Sequence, residues 1–298
     1  MAQDYVNTAA MDLIRSLPDY RSCACLELGC GDGHMLETLA RDGVDVRGTT
    51  FRSETDDYIR YREHPQDIAS RIDTGIDLNS PLPYEDNRFD LVYSVEVIEH
   101  VEGHRNFISE AARVLKPNGT LVLTTPNVHR LSSRLRFLLS GIPDMKREPV
   151  PADVPLNRME EYHHRCVDFP TLHYLLWRSG LRIEEMRVTK TNTTSRVAMA
   201  LYGLLVPYTK SACQRRASSD EDKKAKRDLT MWMLSKGILF SEQLCIRATK
   251  VHNTDQSHRE SGASASRQTS SHTTPDVVVP AASSANTMKS SLSPSVAV

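Results

Sequence analysis

The chain has 298 residues, enough for one large domain with an ample core or for two small ones. Its 37 Lys and Arg nearly balance 38 Asp and Glu, and a net charge of −1 removes any broad electrostatic case for nucleic acid. Six scattered cysteines (Cys23, Cys25, Cys30, Cys166, Cys213, Cys245) match no zinc spacing and no disulfide scaffold, so reduced thiols in a cytoplasmic protein are expected.

The opening stretch "MAQDYVNTAAMDLIRSLPDY" has neither a basic leader nor an apolar run, so no secretory signal is expected. Strands and helices then alternate. "CACLELG" (23–29) reads as a buried strand and "GHMLETLARDG" (33–43) as a helix closed by Gly43. "VDVRGTTF" (44–51) gives a second strand, "TDDYIRYREH" (55–64) a helix, and "RIDTGIDL" (71–78) a short third strand. "RFDLVYSV" (88–95) is a fourth strand, "NFISEAARVLKP" (106–117) a helix ended by Pro117, and "GTLVLTTP" (119–126) a fifth strand. "TLHYLLWRSGL" (171–181) is a helix, "RIEEMRVTK" (182–190) a sixth strand and "LFSEQLCIRATK" (239–250) a seventh. Strands separated by helical patterns pair in parallel through right-handed crossovers, which predicts a doubly wound α/β sheet.

Residues 1–250 therefore read as one domain. It carries a Pro-rich lid or substrate segment at about 128–165, opened by an amphipathic helix with Arg134 and Arg136, and a helical insertion at about 195–236. The apolar run at 197–207 is too short to span a bilayer; it reads as a core helix, or as one touching a membrane surface or an apolar substrate. Residues 251–298 are rich in Ser, Thr, Ala and Pro without apolar periodicity, and are expected to be disordered.

The first strand runs into "ELGCGDG", with Glu27 followed by Gly29, Gly31 and Gly33 at the mouth of a helix. Glycines there permit a tight turn and let a ligand lie against the main chain. The dinucleotide fingerprint spaces its glycines more widely and seats a pyrophosphate, which the carboxylates of Glu27 and Asp32 would repel. Those carboxylates suit a cationic ligand instead. In order and spacing, "CLELGCGDG", "DLNSPLPYEDNRFDLVYSVEVIEHV" and "RVLKPNGTLVLTTPN" resemble the class I S-adenosylmethionine-dependent methyltransferases.

That resemblance implies a Rossmann-like sheet of seven strands in the order 3-2-1-4-5-7-6, the last strand antiparallel, with helices on both faces and S-adenosylmethionine at the carboxyl ends of strands 1 to 4. It implies that Glu27, Gly29 and Gly31 border the methionine part of the cofactor, and that Asp77, ending the third strand, and Leu78 face adenine. Ser94 and Val95 would close the pocket around the methyl group. The family usually ends its second strand with an acid that grips both ribose hydroxyls; this chain has Thr50 there, which can form only one uncharged bond.

After the fourth strand, "VEVIEH" sets Glu96, Glu99 and His100 beside the place of the methyl group. The E-x-x-E-H arrangement resembles that of ubiquinone-pathway O-methyltransferases and of small-RNA 3′-end methyltransferases, where it accompanies a divalent metal and a further downstream histidine. The match here is His164, with His163 the alternative. Glu96, Glu99, His100 and His164 are thus candidate ligands for Mg²⁺. Glu99, His100 and His164 are equally candidates for metal-free, substrate-orienting acid–base chemistry, and a structural turn is a third reading. Asn127 in "TTPN" is either a substrate contact or a turn residue.

The expectation is a methyltransferase acting on oxygen of a small molecule or glycan. The alternatives are a metal-assisted RNA 2′-O-methyltransferase and a cofactor-binding protein without catalysis. Nucleic acid is disfavoured as a partner, no transmembrane segment is expected, and peripheral membrane contact is left open.

Overall fold

A computed structural model describes residues 2–51, 65–142, 153, 166–191 and 202–251. The expected helix at 55–64, most of the lid segment with His163 and His164, the first part of the insertion and the tail beyond Val251 lie outside the described residues. All the described residues fall in the compact unit Met1–Asn253.

Seven strands form one sheet: β1 Ala24–Glu27, β2 Asp45–Thr49, β3 Ile72–Asp73, β4 Phe89–Val95, β5 Leu115–Pro126, β6 Leu181–Met186 and β7 Gln243–Lys250. Their order is β3-β2-β1-β4-β5-β7-β6. The first five are mutually parallel, and β7 runs antiparallel between β5 and β6. This is the order the resemblance implies. The strands alternate between two cores because successive side chains point to opposite faces. Cys25, Leu91, Tyr93, Val122 and Cys245 join one cluster, and Leu26, Val92, Leu121, Leu123 and Ile246 the other.

The first face is covered by α1 (Ala2–Arg15), α2 (His34–Arg41) and α3 (Gln66–Ala69). The second is covered by α4 (His104–Val114), α6 (Phe169–Arg178) and, further along the chain, Met233 and Ile238, while α5 (Leu131–Ser140) follows β5. The insertion supplies α7 (Tyr202–Gln214) and α8 (Asp220–Met233), and α9 (Lys236–Phe240) leads into β7. Helix α1 had no place in the expected element list. Its signal is nevertheless in the chain: Val6, Ala9, Ala10, Leu13 and Ile14 recur at helical spacing and are all buried.

Three boundaries differ from expectation for physical reasons. The third strand stops at Asp73, where Arg47 and Tyr84 both bind its carboxylate, so Asp77 lies in the following turn and does not end the strand. Helix α4 ends at Val114, before Pro117, because Leu115 is already paired with Phe89 of β4. The pairing then jumps to Leu91 with Thr120, and the intervening bend needs Gly119, where a Cβ would meet the Lys116 carbonyl at 2.8 Å. The seventh strand begins at Gln243, since "LF" closes α9, whose Ser235 cap accepts from the Ile238 amide.

Candidate active site

The carboxyl ends of β1, β2 and β4 meet around the glycine loop. Gly29, Gly31 and Gly33 all have positive φ (76°, 54° and 73°), a region that costs other residues about 1–2 kcal/mol. The loop is tied to both neighbouring strands. Thr49 Oγ1 accepts from the Gly29 amide at 3.0 Å and donates to the Glu27 carbonyl at 3.3 Å; the Cys30 amide donates to the Thr49 carbonyl at 2.8 Å. From the other side, the Leu28 amide donates to the Tyr93 carbonyl, and Ser94 Oγ donates to the Leu28 carbonyl at 3.1 Å.

The two loop glycines differ in what surrounds them. A Cβ at Gly29 would stand 2.7 and 2.8 Å from the Val97 methyl groups, so this glycine is required by packing from the β4 turn. At Gly31 a Cβ would meet nothing within 4 Å. That is an open cradle beside exposed backbone, and it fits the approach of a ligand to the main chain.

Glu27 is the charge in this cradle. Its side chain is buried, and Tyr93 donates to its Oε2 at 2.8 Å. Burial pushes its carboxyl up to about 8, with Asp32 adding to the rise; the Tyr93 hydroxyl and the Leu36 amide oppose it. A buried acid of this kind becomes ionised most readily when a cation arrives beside it.

The other expected cofactor residues divide. Thr50 directly follows β2 and is buried; its amide donates to the Asp73 carbonyl and its carbonyl accepts from Ile76, both at 2.9 Å. It therefore sits between the second and third strand ends, at the position where the family's acid was sought. Asp77 accepts from the Asn79 amide and side chain at 2.9 and 3.0 Å, closing its own turn, and Asn79 accepts in turn from Gly103. Leu78 is half-buried against the α4 side of the core, and Val95 against the α1 side.

In the turn after β4, the two acids are each engaged by a threonine of β5. Glu96 has φ 56°, an uncommon value for a non-glycine residue. Thr124 holds it there: its Oγ1 accepts from the Glu96 amide at 3.0 Å and donates to Glu96 Oε1 at 3.2 Å. Glu99 lies in a short 3-10 turn, Ile98–His100, is fully buried, and accepts from Thr125 Oγ1 at 3.1 Å. Thr124 and Thr125 are successive strand residues and face opposite sides of the sheet. Thr124 lies opposite Cys245, on the α1 face, and Thr125 opposite Leu244, on the other.

The two carboxylates thus serve different faces. Among the described residues no group of three His, Cys, Asp or Glu side chains is placed to hold a metal ion. Glu96 and Glu99 are engaged by Thr124 and Thr125, and His164, the fourth expected ligand, is outside the described residues. The Cys166 thiol lies within reach of both acids: burial pushes it up to about 12, with Glu99 and then Glu96 contributing.

Several residues of this edge escaped the sequence reading. Tyr5, from α1, places its hydroxyl 2.9 Å from Glu242 Oε2 and 2.8 Å from Gln243 Oε1. Burial pushes this phenol up to about 12, with Glu242 and, more weakly, Glu96 adding to the rise. Only tertiary contact could link positions more than two hundred residues apart. Asn127 is resolved as a staple: its Nδ2 reaches the carbonyls of Ile238 and Ser241 at 2.9 Å, and its Oδ1 accepts from His129.

Residues 26–123 match the family model described as a methyltransferase domain. The Ubiquinone biosynthesis O-methyltransferase of Azorhizobium caulinodans is 31% identical over 113 residues, 38% of this chain and 44% of that protein. A Mycolicibacterium smegmatis protein named "Probable S-adenosylmethionine-dependent methyltransferase" is 30% identical over 160 residues, 54% of this chain and 52% of that one. The Norajmaline N-methyltransferase of Rauvolfia serpentina is 33% identical over 125 residues, 41% of each chain. The chain thus spans about half the length of the curated relatives it matches. With the sheet order and the glycine loop in place, residues 26–123 are a methyltransferase domain of the class I, S-adenosylmethionine-dependent type.

Proposed function

We propose that the protein transfers a methyl group from S-adenosylmethionine to an oxygen of a small molecule or glycan. The observation that carries the cofactor half is the cradle itself: open space at Gly31 beside the buried carboxyl of Glu27. S-adenosylmethionine supplies an electrophilic methyl carbon on a cationic sulfur. Gly29 and Gly31 let the main chain approach it, Glu27 offers a counter-charge for its cationic end, and Ser94 and Val95 line the strand end next to it. Thr50 stands toward the ribose and Leu78 toward adenine. Asp77, engaged in its own turn, frames the adenine side through the backbone of that turn.

At the acceptor side, Glu96 and His100 are the groups we assign to orienting the acceptor and taking its proton, a contribution of typically 10²–10⁴-fold. Glu99, sealed against Thr125, is assigned to holding that turn in place. Oxygen as the acceptor atom is supported by the similarity to ubiquinone-pathway O-methyltransferases, while the similarity to an N-methyltransferase keeps amines in the test panel. Thr50 favours one competing reading, a cofactor binder without turnover.

Calorimetric titration of the full chain with S-adenosylhomocysteine tests the cofactor half: saturable binding is expected, and its loss in Gly31→Val with the fold retained. Absence of binding by the folded wild type would overturn the proposal. Transfer of labelled methyl to a panel of phenols, sugars and amines tests the acceptor half. Label on amines alone would refute the oxygen assignment, and tight binding without any transfer would favour the non-catalytic reading.

A further inference from the structure

Helix α5 is buried only in its first turn. Leu131 and Ser133 are enclosed, but every residue from Leu135 through Ile142 is exposed, so the second half of the helix stands clear of the described residues on all sides. Leu135, Leu138 and Leu139 are 41%, 79% and 79% exposed and fall at the i, i+3, i+4 spacing of one helical stripe; Ile142, 42% exposed, follows the Gly141 cap. Phe137, 56% exposed, lies on the opposite side with Arg136 and Ser140, so this end of the helix shows apolar groups to solvent all round. An apolar stripe of this kind normally faces a core; here it faces water.

The chain that carries it is basic: no Asp or Glu occurs from Ala111 through Pro143, and Arg136 is exposed. Helix α7 lies beside the root of α5, since its Cys213 is within electrostatic reach of Arg134. It adds exposed Tyr208, Lys210 and Arg215. Apolar anchors, a flanking aromatic and cations on the polar side are what an interfacial helix presents to a lipid bilayer. The apolar patch, on the order of 500 Å², falls short of the ~800 Å² per partner that a stable protein interface needs. A bilayer needs less, because it surrounds the projecting turns and draws in the neighbouring cations, about 1 kcal/mol for each near an anionic surface.

We infer that the exposed half of α5, with the cationic end of α7, docks the protein peripherally on membranes containing anionic lipids. Helix α5 starts five residues beyond Pro126, the end of β5, so docking brings the candidate active site close to the lipid surface. This inference does not depend on the cofactor assignment.

The test is co-sedimentation of the full chain with vesicles of phosphatidylcholine, with and without phosphatidylserine. Binding is expected to the mixed vesicles and to weaken with salt. Leu138→Glu combined with Leu139→Glu should reduce it roughly tenfold or more, because two apolar anchors are lost and two like charges are added. Arg136→Glu should reduce binding to mixed vesicles only. Both changes fall on solvent-facing positions, and an unchanged melting temperature would show that the domain is intact. In Leu138→Trp, the indole emission should shift to the blue when vesicles are added. Wild-type protein that stays in the supernatant, or a double variant that sediments like wild type, would overturn the inference. So would a lipid-free dimer in sedimentation velocity that the double variant dissolves, since a second copy would then be the occupant.

Discussion

The glycine loop after β1 and the polar turn after β4 lie on the same edge of the sheet, yet they differ in how their residues work. In the loop the arrangement is made by the backbone. Three glycines at positive φ, held by Thr49 and Ser94, leave an open surface at Gly31 and a filled one at Gly29. In the turn the arrangement is made by side chains, and Thr124 and Thr125 pull Glu96 and Glu99 to opposite faces. A backbone motif survives packing because its neighbours only have to avoid it. A side-chain cluster exists only if packing aims every member at one point.

The largest effect expected from this contrast is a pH dependence at Glu27. In the folded protein the carboxyl keeps its proton up to about pH 8, whereas the unfolded chain releases it near the ordinary value of about 4.3. Folding is therefore favoured below the unfolded value and loses stability as pH rises toward 8, by on the order of 5 kcal/mol in all, with no further change above. Glu27→Gln should remove this dependence, so the wild-type-minus-variant difference in urea unfolding, followed from pH 5 to 9, should slope downward and then level. A cationic cofactor favours the ionised form, so S-adenosylmethionine binding should release a proton below pH 8, measurable by calorimetry in buffers of different ionisation enthalpy. A flat difference curve would show that Glu27 is charged in the empty site.

Next in size is the difference between the two glycines. Gly29→Val combines positive φ with a clash on Val97 and should cost about 3 kcal/mol in urea unfolding. Gly31→Val has room for its side chain and should cost only about 1–2 kcal/mol, while abolishing S-adenosylhomocysteine binding. Equal destabilisation would mean that the loop is packed alike at both positions.

The turn after β4 should respond more weakly. Glu99→Gln keeps an acceptor for Thr125 Oγ1 and should lower stability by no more than about 1–2 kcal/mol. The melting temperature of the wild type should be the same in Mg²⁺ and in EDTA. A Mg²⁺-dependent rise that Glu99→Gln removes would restore the metal reading and show that the two acids can turn to a common ion.

The smallest effect is at Thr50. Replacing it with Asp should tighten S-adenosylhomocysteine binding by about 1 kcal/mol through a charge-assisted bond to ribose. Weaker binding in a folded variant would mean that another group already serves that end of the ligand.

The order of elements, the parallel pairing and the glycine loop were legible in the chain because each rests on local rules: side-chain period, helix punctuation and the conformational freedom of glycine. Helix α1 was legible too, in the spacing of Val6, Ala9, Ala10, Leu13 and Ile14, although attention to leader signals passed over it. What no local rule contains is the direction in which side chains of the 96–100 turn point. That direction depends on which strand lies beside the turn, and β5 offers threonines to both faces. The same holds for Tyr5, whose partners Glu242 and Gln243 arrive through the β5–β7 pairing, and for Asp77, whose carboxylate is claimed by Asn79 once the third strand stops at Asp73. Backbone geometry is set by residues close in sequence. The convergence of charges is set by residues that only the folded sheet makes neighbours.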